Sequence, residues 1–248
     1  MALRAVLFDL FDTLVDLHMD RLPEVEVRGR RVRSTYGALH EALRAEADVE
    51  FERFATTLVA LDLELRDVMH VERVEVPTRR RFGLLLERLG LERPGLAERL
   101  TEVHMGLLAE QVDYLPHHAE VLEALRGRGL RLGVCSNFTH TPTARVVLER
   151  AKLLPLLDAV VVSEEVGFRK PRPEIFRAAL EALGTQPGET LHVGDNLDAD
   201  VAGAAALGIP AAWITRRVAD PVKALRSHPG APPPHRVHDL GELLPIVG

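Results

Sequence analysis

Hydrophobic positions follow three rhythms along this chain. The first is a short unbroken apolar run, Ala5-Val6-Leu7-Phe8, that stops abruptly at Asp9. Such a run predicts a strand buried on both faces, as in the middle of a parallel sheet. The second rhythm has a helical period and fills 34–114. Phe51, Phe54, Leu58, Leu61 and Leu65 recur at that spacing, as do Phe82, Leu85, Leu86 and Leu89, then Leu96, Leu100, Val103 and Leu107. Ser34 and Thr78 read as N-caps and Gly90 as a C′ residue. These stripes predict helices packed on one another rather than a cofactor pocket. The third rhythm begins at Leu115 and alternates. Helices are expected at about 117–127, from Thr141-Pro142, at 173–183 with Gly184 as the stop, and at 197–207. Strands fall between them at 130–135, 159–162, 190–193 and 210–214. GAPPP at 230–234 reads as a stiff connector, and the closing segment as a short strand and a terminal helix.

Strands separated by helices of this length require right-handed crossovers and a mostly parallel sheet, so the fold class is α/β. The helical stretch between the first strand and the rest is an insertion of roughly 95 residues, too long for a loop and long enough to be a small domain. Its opening part, 16–33, is polar and Arg-rich, and VEVRGRRVR at 25–33 alternates around Gly29 like a hairpin. Arg28, Arg30, Arg31 and Arg33 read as its solvated face, with attraction of an anionic substrate as the alternative.

Composition narrows the field. The 248 residues are 46% hydrophobic and 27% charged, with a net charge of −6, ordinary for a soluble protein and without a polyanion-binding signature. Nucleic acid is therefore not an expected partner. A single cysteine, Cys135, rules out an internal disulfide and suits a reducing cytosol. Asp9 and Asp12 interrupt the N-terminal apolar run too early for a signal peptide, and no stretch is long enough to span a bilayer. A cytoplasmic protein without membrane association is expected, as a monomer or homodimer. Only Lys152, Lys170 and Lys223 of the 31 basic residues are lysines, so a lysine here marks a place where a compact ammonium is wanted.

Open parallel sheets bind ligands beyond the C-terminal tips of their strands. In this chain those tips carry Asp9, then Ser136-Asn137, then Gly194-Asp195-Asn196 with Asp198 and Asp200 close behind. Lys170 lies in GFRKPRPEIF, between a strand and the next helix. Chance capping explains any one of these. Carboxylates, a hydroxyl, an amide and one ammonium on the same sheet edge point to a catalytic crevice.

The four motifs FDLFDTL (8–14), CSN (135–137), Lys170 of RKPRPEIF (169–176) and VGDNLDADVAGA (193–204), in that order, resemble the haloacid dehalogenase superfamily of hydrolases. The similarity is to the subgroup with a helical cap inserted after the first core strand. The resemblance implies a Rossmann-like parallel sheet core formed by 1–15 and 115–248, and an α-helical cap at 16–114 that closes over substrate. It also implies a catalytic set of Asp9, Thr13, Ser136, Asn137 and Lys170. Asp9 would be the nucleophile. Thr13 and Ser136 would donate hydrogen bonds to the transferring group, Lys170 would neutralise charge, and Asn137 and Asn196 would fix loop geometry. Mg²⁺ would be held by Asp9, the backbone carbonyl of Phe11 and Asp195, with Asp200 supporting it directly or through another ligand. Asp198 would face solvent at the helix start. The cap carries no matching motif, and His104, His117 and His118 read as surface or packing residues.

One position departs from the phosphatase pattern. A second aspartate usually stands two residues after the nucleophile as general acid and base, and here that residue is Phe11. Asp12 is one residue further along and points elsewhere in an extended segment. An aromatic residue at this place is what 2-haloacid dehalogenases carry, yet those enzymes lack the acid at the position of Asp195. The expectation is thus a Mg²⁺-dependent phosphatase for a small phosphorylated metabolite. Dehalogenation and a weakly active or non-catalytic binding protein are the alternatives.

Overall fold

The computed structural model describes residues 2–247. The chain divides into two compact units, one built from its two ends, through Asp16 and from Asp113 onward, and the other from Leu17–Val112. The boundaries lie one and two residues from those expected. Two short strands, Asp16–Leu17 and Val112–Asp113, pair where the chain passes from one unit to the other and back.

The first unit is built on a six-stranded sheet. Its spatial order is His235–Val237, Ala211–Ile214, Thr190–Gly194, Ala5–Phe8, Arg131–Ser136, Ala159–Val162. Every pairing is parallel. Ala5–Phe8 is central and none of its side chains is exposed to solvent, as an uninterrupted apolar run requires. Phe8 stands level with Val134 on one side and Val193 on the other. Asp9, Ser136 and Asp195 therefore emerge at neighbouring tips. Ile175, Phe176, Ala179 and Leu183 of the Pro173–Leu183 helix pack with Trp213 and Val201 into one apolar layer against this sheet.

Several elements differ from the sequence pattern for local reasons. The strand expected at 130–135 runs from Arg131 to Ser136. The helix expected at 197–207 opens as a wide π-type turn, Leu197–Ala202, and only Gly203–Ala205 is α-helical. Within it the Asp200 carboxylate turns inward and accepts the Asn196 backbone N–H at 3.0 Å. The expected terminal helix is a single 3-10 turn, Leu240–Leu243, and Pro245 blocks its continuation. A helix at Pro221–Ser227, capped by Asp220, is too short to leave a periodic signal.

The second unit holds a hairpin and four helices, Tyr36–Arg44, Phe51–His70, Thr78–Leu89 and Leu96–Glu110. In the hairpin Glu24 pairs with Arg33 and Glu26 with Arg31 across the strands, so two of the four arginines stand opposite carboxylates. Arg28 and Gly29 both take positive φ at the turn, the conformation that suits a two-residue hairpin. Ser34 is not the N-cap: Thr35 occupies that position, and the Ser34 hydroxyl accepts the Tyr36 N–H at 2.9 Å from one residue earlier. Nor is Thr78 a cap: Pro77 occupies the N-cap position and Thr78 is the first helical residue. Gly90 is left-handed and ends its helix, with Leu91 N–H returning to the Leu86 carbonyl, as in a Schellman closure. Leu39, Leu43, Phe54, Leu58, Phe82, Leu85 and Leu100 form a continuous core. Among the described residues, no helix is long and apolar enough to cross a membrane.

Candidate active site

The crevice is assembled at the tips of three adjacent strands. Asp9 follows the central strand and is fixed there by its own N–H, which donates to the Val193 carbonyl at 2.8 Å. Its Oδ1 accepts the Leu10 N–H at 2.8 Å and lies 2.9 Å from Lys170 Nζ. Lys170 Nζ also lies 2.6 Å from Asp200 Oδ1. Lys170 and Asp200 are buried, at 1% and 0% exposed. A lysine at this depth is retained only where carboxylates surround it. Burial alone would lower its pKa, but Asp200 and Asp9 more than reverse that and hold it above the ordinary lysine value.

Both Asp200 oxygens accept hydrogen bonds. Oδ1 takes Lys170 Nζ and His192 Nε2, the latter at 2.9 Å, and Oδ2 takes the Asn196 N–H. Burial pushes its pKa up, but Lys170 and His192 outweigh that and hold it below the usual carboxylate range. Oδ2 accepts one N–H and keeps a second lone pair, and Asp200 offers an oxygen within 4.8 Å of the Asp9 and Asp195 oxygens. Asp200 also orients Lys170 and the Asp195-Asn196 turn. Gly194 makes this possible, since a Cβ there would overlap the Asp200 carboxylate.

Asp195 has the opposite surroundings. Burial, then the nearby charges of Asp9 and Asp200, push its carboxyl up to about 8, and Lys170 offsets only part of this. Asp9 is likewise raised, by burial first, with Lys170 opposing. Carboxylate oxygens of Asp9, Asp195 and Asp200 lie within 4.8 Å of one another. Three carboxylates and one ammonium carry a formal charge of −2 when all are ionised. An all-oxygen donor set with that deficit fits a hard divalent cation held by Asp9 and Asp195.

The remaining predicted residues sort by their contacts. Thr13 is fully buried and its hydroxyl has no hydrogen-bond partner among the described residues. Ser136 is buried at its strand tip. Asn137 holds the Lys170 backbone: its Oδ1 accepts the Lys170 N–H at 2.6 Å and its Nδ2 donates to the Lys170 carbonyl at 3.1 Å. Asn196 caps the π-type turn through Asp198 and Ala199. Asp12 has a positive φ and pairs with Arg217 at 3.3 Å, so its carboxylate is committed away from the general acid position. Phe11 packs on Phe138 with ring centroids 4.8 Å apart, making an apolar wall where the second aspartate would stand.

Sequence reasoning missed three supporting residues. His192 lies inside a buried strand, where a histidine gives no motif. Trp213 donates to the Asp195 carbonyl at 2.7 Å and holds that turn. His228, 3.2 Å from Asp198, lines a pocket of about 260 Å³ that Asp195 and Trp213 also border.

A family model for haloacid dehalogenase-like hydrolases matches residues 3–208. The chain belongs to this family. The hydrolase is 30% identical over 246 residues to a ribulose-1,5-bisphosphate 5-phosphatase from Halopiger xanaduensis, covering 98% of each chain. Among solved structures it resembles a HAD phosphatase from Thermococcus onnurineus, with 25% identity, a TM-score of 0.60, and 99% and 98% of the two chains covered. It also resembles the 2-haloacid dehalogenase from Pseudomonas syringae pv. Tomato DC3000, with 25% identity, a TM-score of 0.67, and 99% and 97% covered. Phosphatases and dehalogenases thus both stand among its relatives, and the choice between them falls to the residues of the crevice.

Proposed function

We propose that this hydrolase is a Mg²⁺-dependent phosphohydrolase acting on a small phosphorylated metabolite through a covalent intermediate on Asp9. The observation that carries the reading is Asp195, a half-buried carboxylate beside Asp9 that has no ammonium of its own. Lys170 is shared between Asp9 and Asp200, so Asp195 is left for a cation.

Lys170 and the Leu10 N–H both contact Asp9 Oδ1, which assigns the attack to Oδ2. That oxygen forms a bond to phosphorus as the bond from phosphorus to the leaving oxygen breaks. Lys170 and the hydroxyls of Thr13 and Ser136 offset charge on the transferring group. Water then attacks the aspartyl phosphate, releasing inorganic phosphate and restoring the Asp9 carboxylate. Asp9, Asp195 and the Phe11 carbonyl would hold Mg²⁺, which when bound neutralises phosphoryl charge. No carboxylic acid stands at Phe11 to protonate the leaving group, and general acid–base assistance is typically worth about 10²–10⁴-fold. The natural substrate therefore has a leaving group that departs with little help, or water supplies the proton.

The Phe11–Phe138 wall favours a second reading, halide displacement from a 2-haloalkanoate by the same carboxylate. The test is hydrolysis of an aryl phosphate and a metabolite-phosphate panel, with and without Mg²⁺, beside halide release from a 2-haloalkanoate. Phosphate release that vanishes with EDTA and with Asp9→Asn supports the proposal. Phosphate release that survives either one, or halide release that needs no metal, overturns it. Phe11→Asp sharpens the result: an aryl-phosphatase rate raised about 10²-fold identifies the missing acid as the limiting element.

A further inference from the structure

A second cluster of ligating side chains lies in the same unit and shares no residue with the Asp9, Asp195 and Asp200 group. His117 and His118 open the Pro116–Gly127 helix, and Asp239 caps the Leu240–Leu243 turn. His117 Nε2 lies 3.1 Å from both Asp239 oxygens, and His118 Nε2 lies 3.4 Å from Oδ2. His118 is fully buried, and its Nδ1 faces the Leu14 carbonyl at 2.9 Å. A carbonyl only accepts, so Nδ1 carries the proton, and in a neutral ring Nε2 is then an unprotonated lone pair. That lone pair points at a carboxylate oxygen. Two acceptors facing each other repel, and a cation between them turns the repulsion into ligation.

We propose that His117, His118 and Asp239 form a binding site for one Zn²⁺-class transition-metal ion. Two imidazoles and one carboxylate suit Zn²⁺ better than Mg²⁺, which prefers oxygen donors alone. Zinc–ligand distances of about 2.0–2.1 Å at tetrahedral angles separate neighbouring ligand atoms by about 3.3–3.4 Å. The separations of 3.1 and 3.4 Å are close to that. The Leu14 carbonyl orients His118 as second partners of metal-bound histidines do. Arg216 Nε stands 3.8 Å from Asp239 and its guanidinium pairs with Asp16 at 2.5 and 2.6 Å. Two carboxylates and one guanidinium leave a charge of −1 to receive the ion. His117 is half exposed, which provides an entry path and a fourth position for water. Leu14 adjoins Thr13, so a bound ion braces the loop that carries the nucleophile.

The test is calorimetric titration of metal-stripped, full-length protein with ZnCl₂ in excess MgCl₂, with the Co²⁺ absorption spectrum as a second readout. One equivalent of Zn²⁺ and a tetrahedral Co²⁺ band are expected. Affinity should fall at least about tenfold in His117→Ala and in Asp239→Asn, and hold in Asp195→Asn. His117→Gln, which keeps a polar side chain towards Asp239, replaces the alanine variant if circular dichroism shows that one unfolded. No Zn²⁺ bound in the presence of Mg²⁺ overturns the proposal. So does binding that persists in the His117 variants, or binding that disappears in Asp195→Asn, because the ion then sits among the strand-tip carboxylates.

Discussion

The strand-tip crevice and the helical unit are both held by pairs of opposite charge, but the pairs do different work. In the crevice, Lys170 and Asp200 are buried and each meets more than one partner. In the helical unit, Arg79–Glu98 is 69% and 44% exposed, and Arg99–Glu46 and Arg80–Glu87 are similarly open. Exposed pairs are screened and contribute about 0–1 kcal/mol each. Buried pairs cost desolvation, often do not improve stability over an apolar substitute, and become strongly destabilising when one partner is removed. The helical unit therefore folds on its apolar core. The crevice keeps a charge arrangement that stability alone does not require, which is what a catalytic centre looks like energetically.

Lys170→Met breaks this contrast at its most sensitive point. It leaves Asp9 and Asp200 as buried carboxylates without their shared ammonium. Removing one partner of such a pair costs about 3–5 kcal/mol, readable as a shift in the urea midpoint. Activity should fall about 10²–10³-fold or more, because the ammonium beside Asp9 is lost, which under the proposed function stabilises the transferring group. A variant as stable as the parent would mean that the crevice charges are better hydrated than their burial implies.

Cys135 sharpens the same comparison through pH. It precedes Ser136 in a strand buried from Leu132 onward, and burial, helped by Asp9 and Asp200 and opposed by Lys170, pushes its thiol up to about 12. A raised thiol pKa means that thiolate is absent below it, so alkylation should stay slow as pH rises through 8 and 9. Relative to an ordinary thiol near 8.5, the reactive fraction at pH 8 is smaller by about three orders of magnitude. Iodoacetamide labelling followed by mass spectrometry checks this. Rapid labelling of the native protein at pH 8 would show that the tips are open to solvent.

Much of this was legible in the sequence, and what was not has physical reasons. Asp9 announced itself because a both-faces-buried strand ends on a charge. Lys170 stood out because lysine is rare here. The role of Asp200 could not be read, because it depends on His192, whose burial in a strand leaves no pattern, and on Gly194 allowing close approach. The π-type opening of 197–202 looks helical in sequence, since the same residues serve either turn. Thr78 resembled a cap, but Pro77 before it already set the non-helical backbone. His117 and His118 are separated from Asp239 by more than a hundred residues, and no local spacing signals their meeting.

The smallest expected effects lie in the helical unit, where two arginines of one helix test how exposure grades a charge pair. Arg81 makes a two-pronged contact with Asp62 at 2.6 and 2.7 Å, and Tyr36 donates to the same carboxylate at 3.0 Å. Arg81 is 18% and Asp62 32% exposed, and the guanidinium also lies over the Phe82 ring at 5.0 Å. Arg79 pairs with Glu98 almost in open solvent. Arg81→Ala should cost about 1 kcal/mol, at the upper end for surface pairs, because the fork geometry and the ring contact are lost together. Arg79→Ala should stay within about 0.5 kcal/mol. Added salt should shrink the smaller cost towards zero while leaving most of the larger, since screening acts on exposed charges first. Equal costs for the two variants would mean that the helical unit does not grade its charge pairs by exposure, and that its contrast with the crevice has another origin.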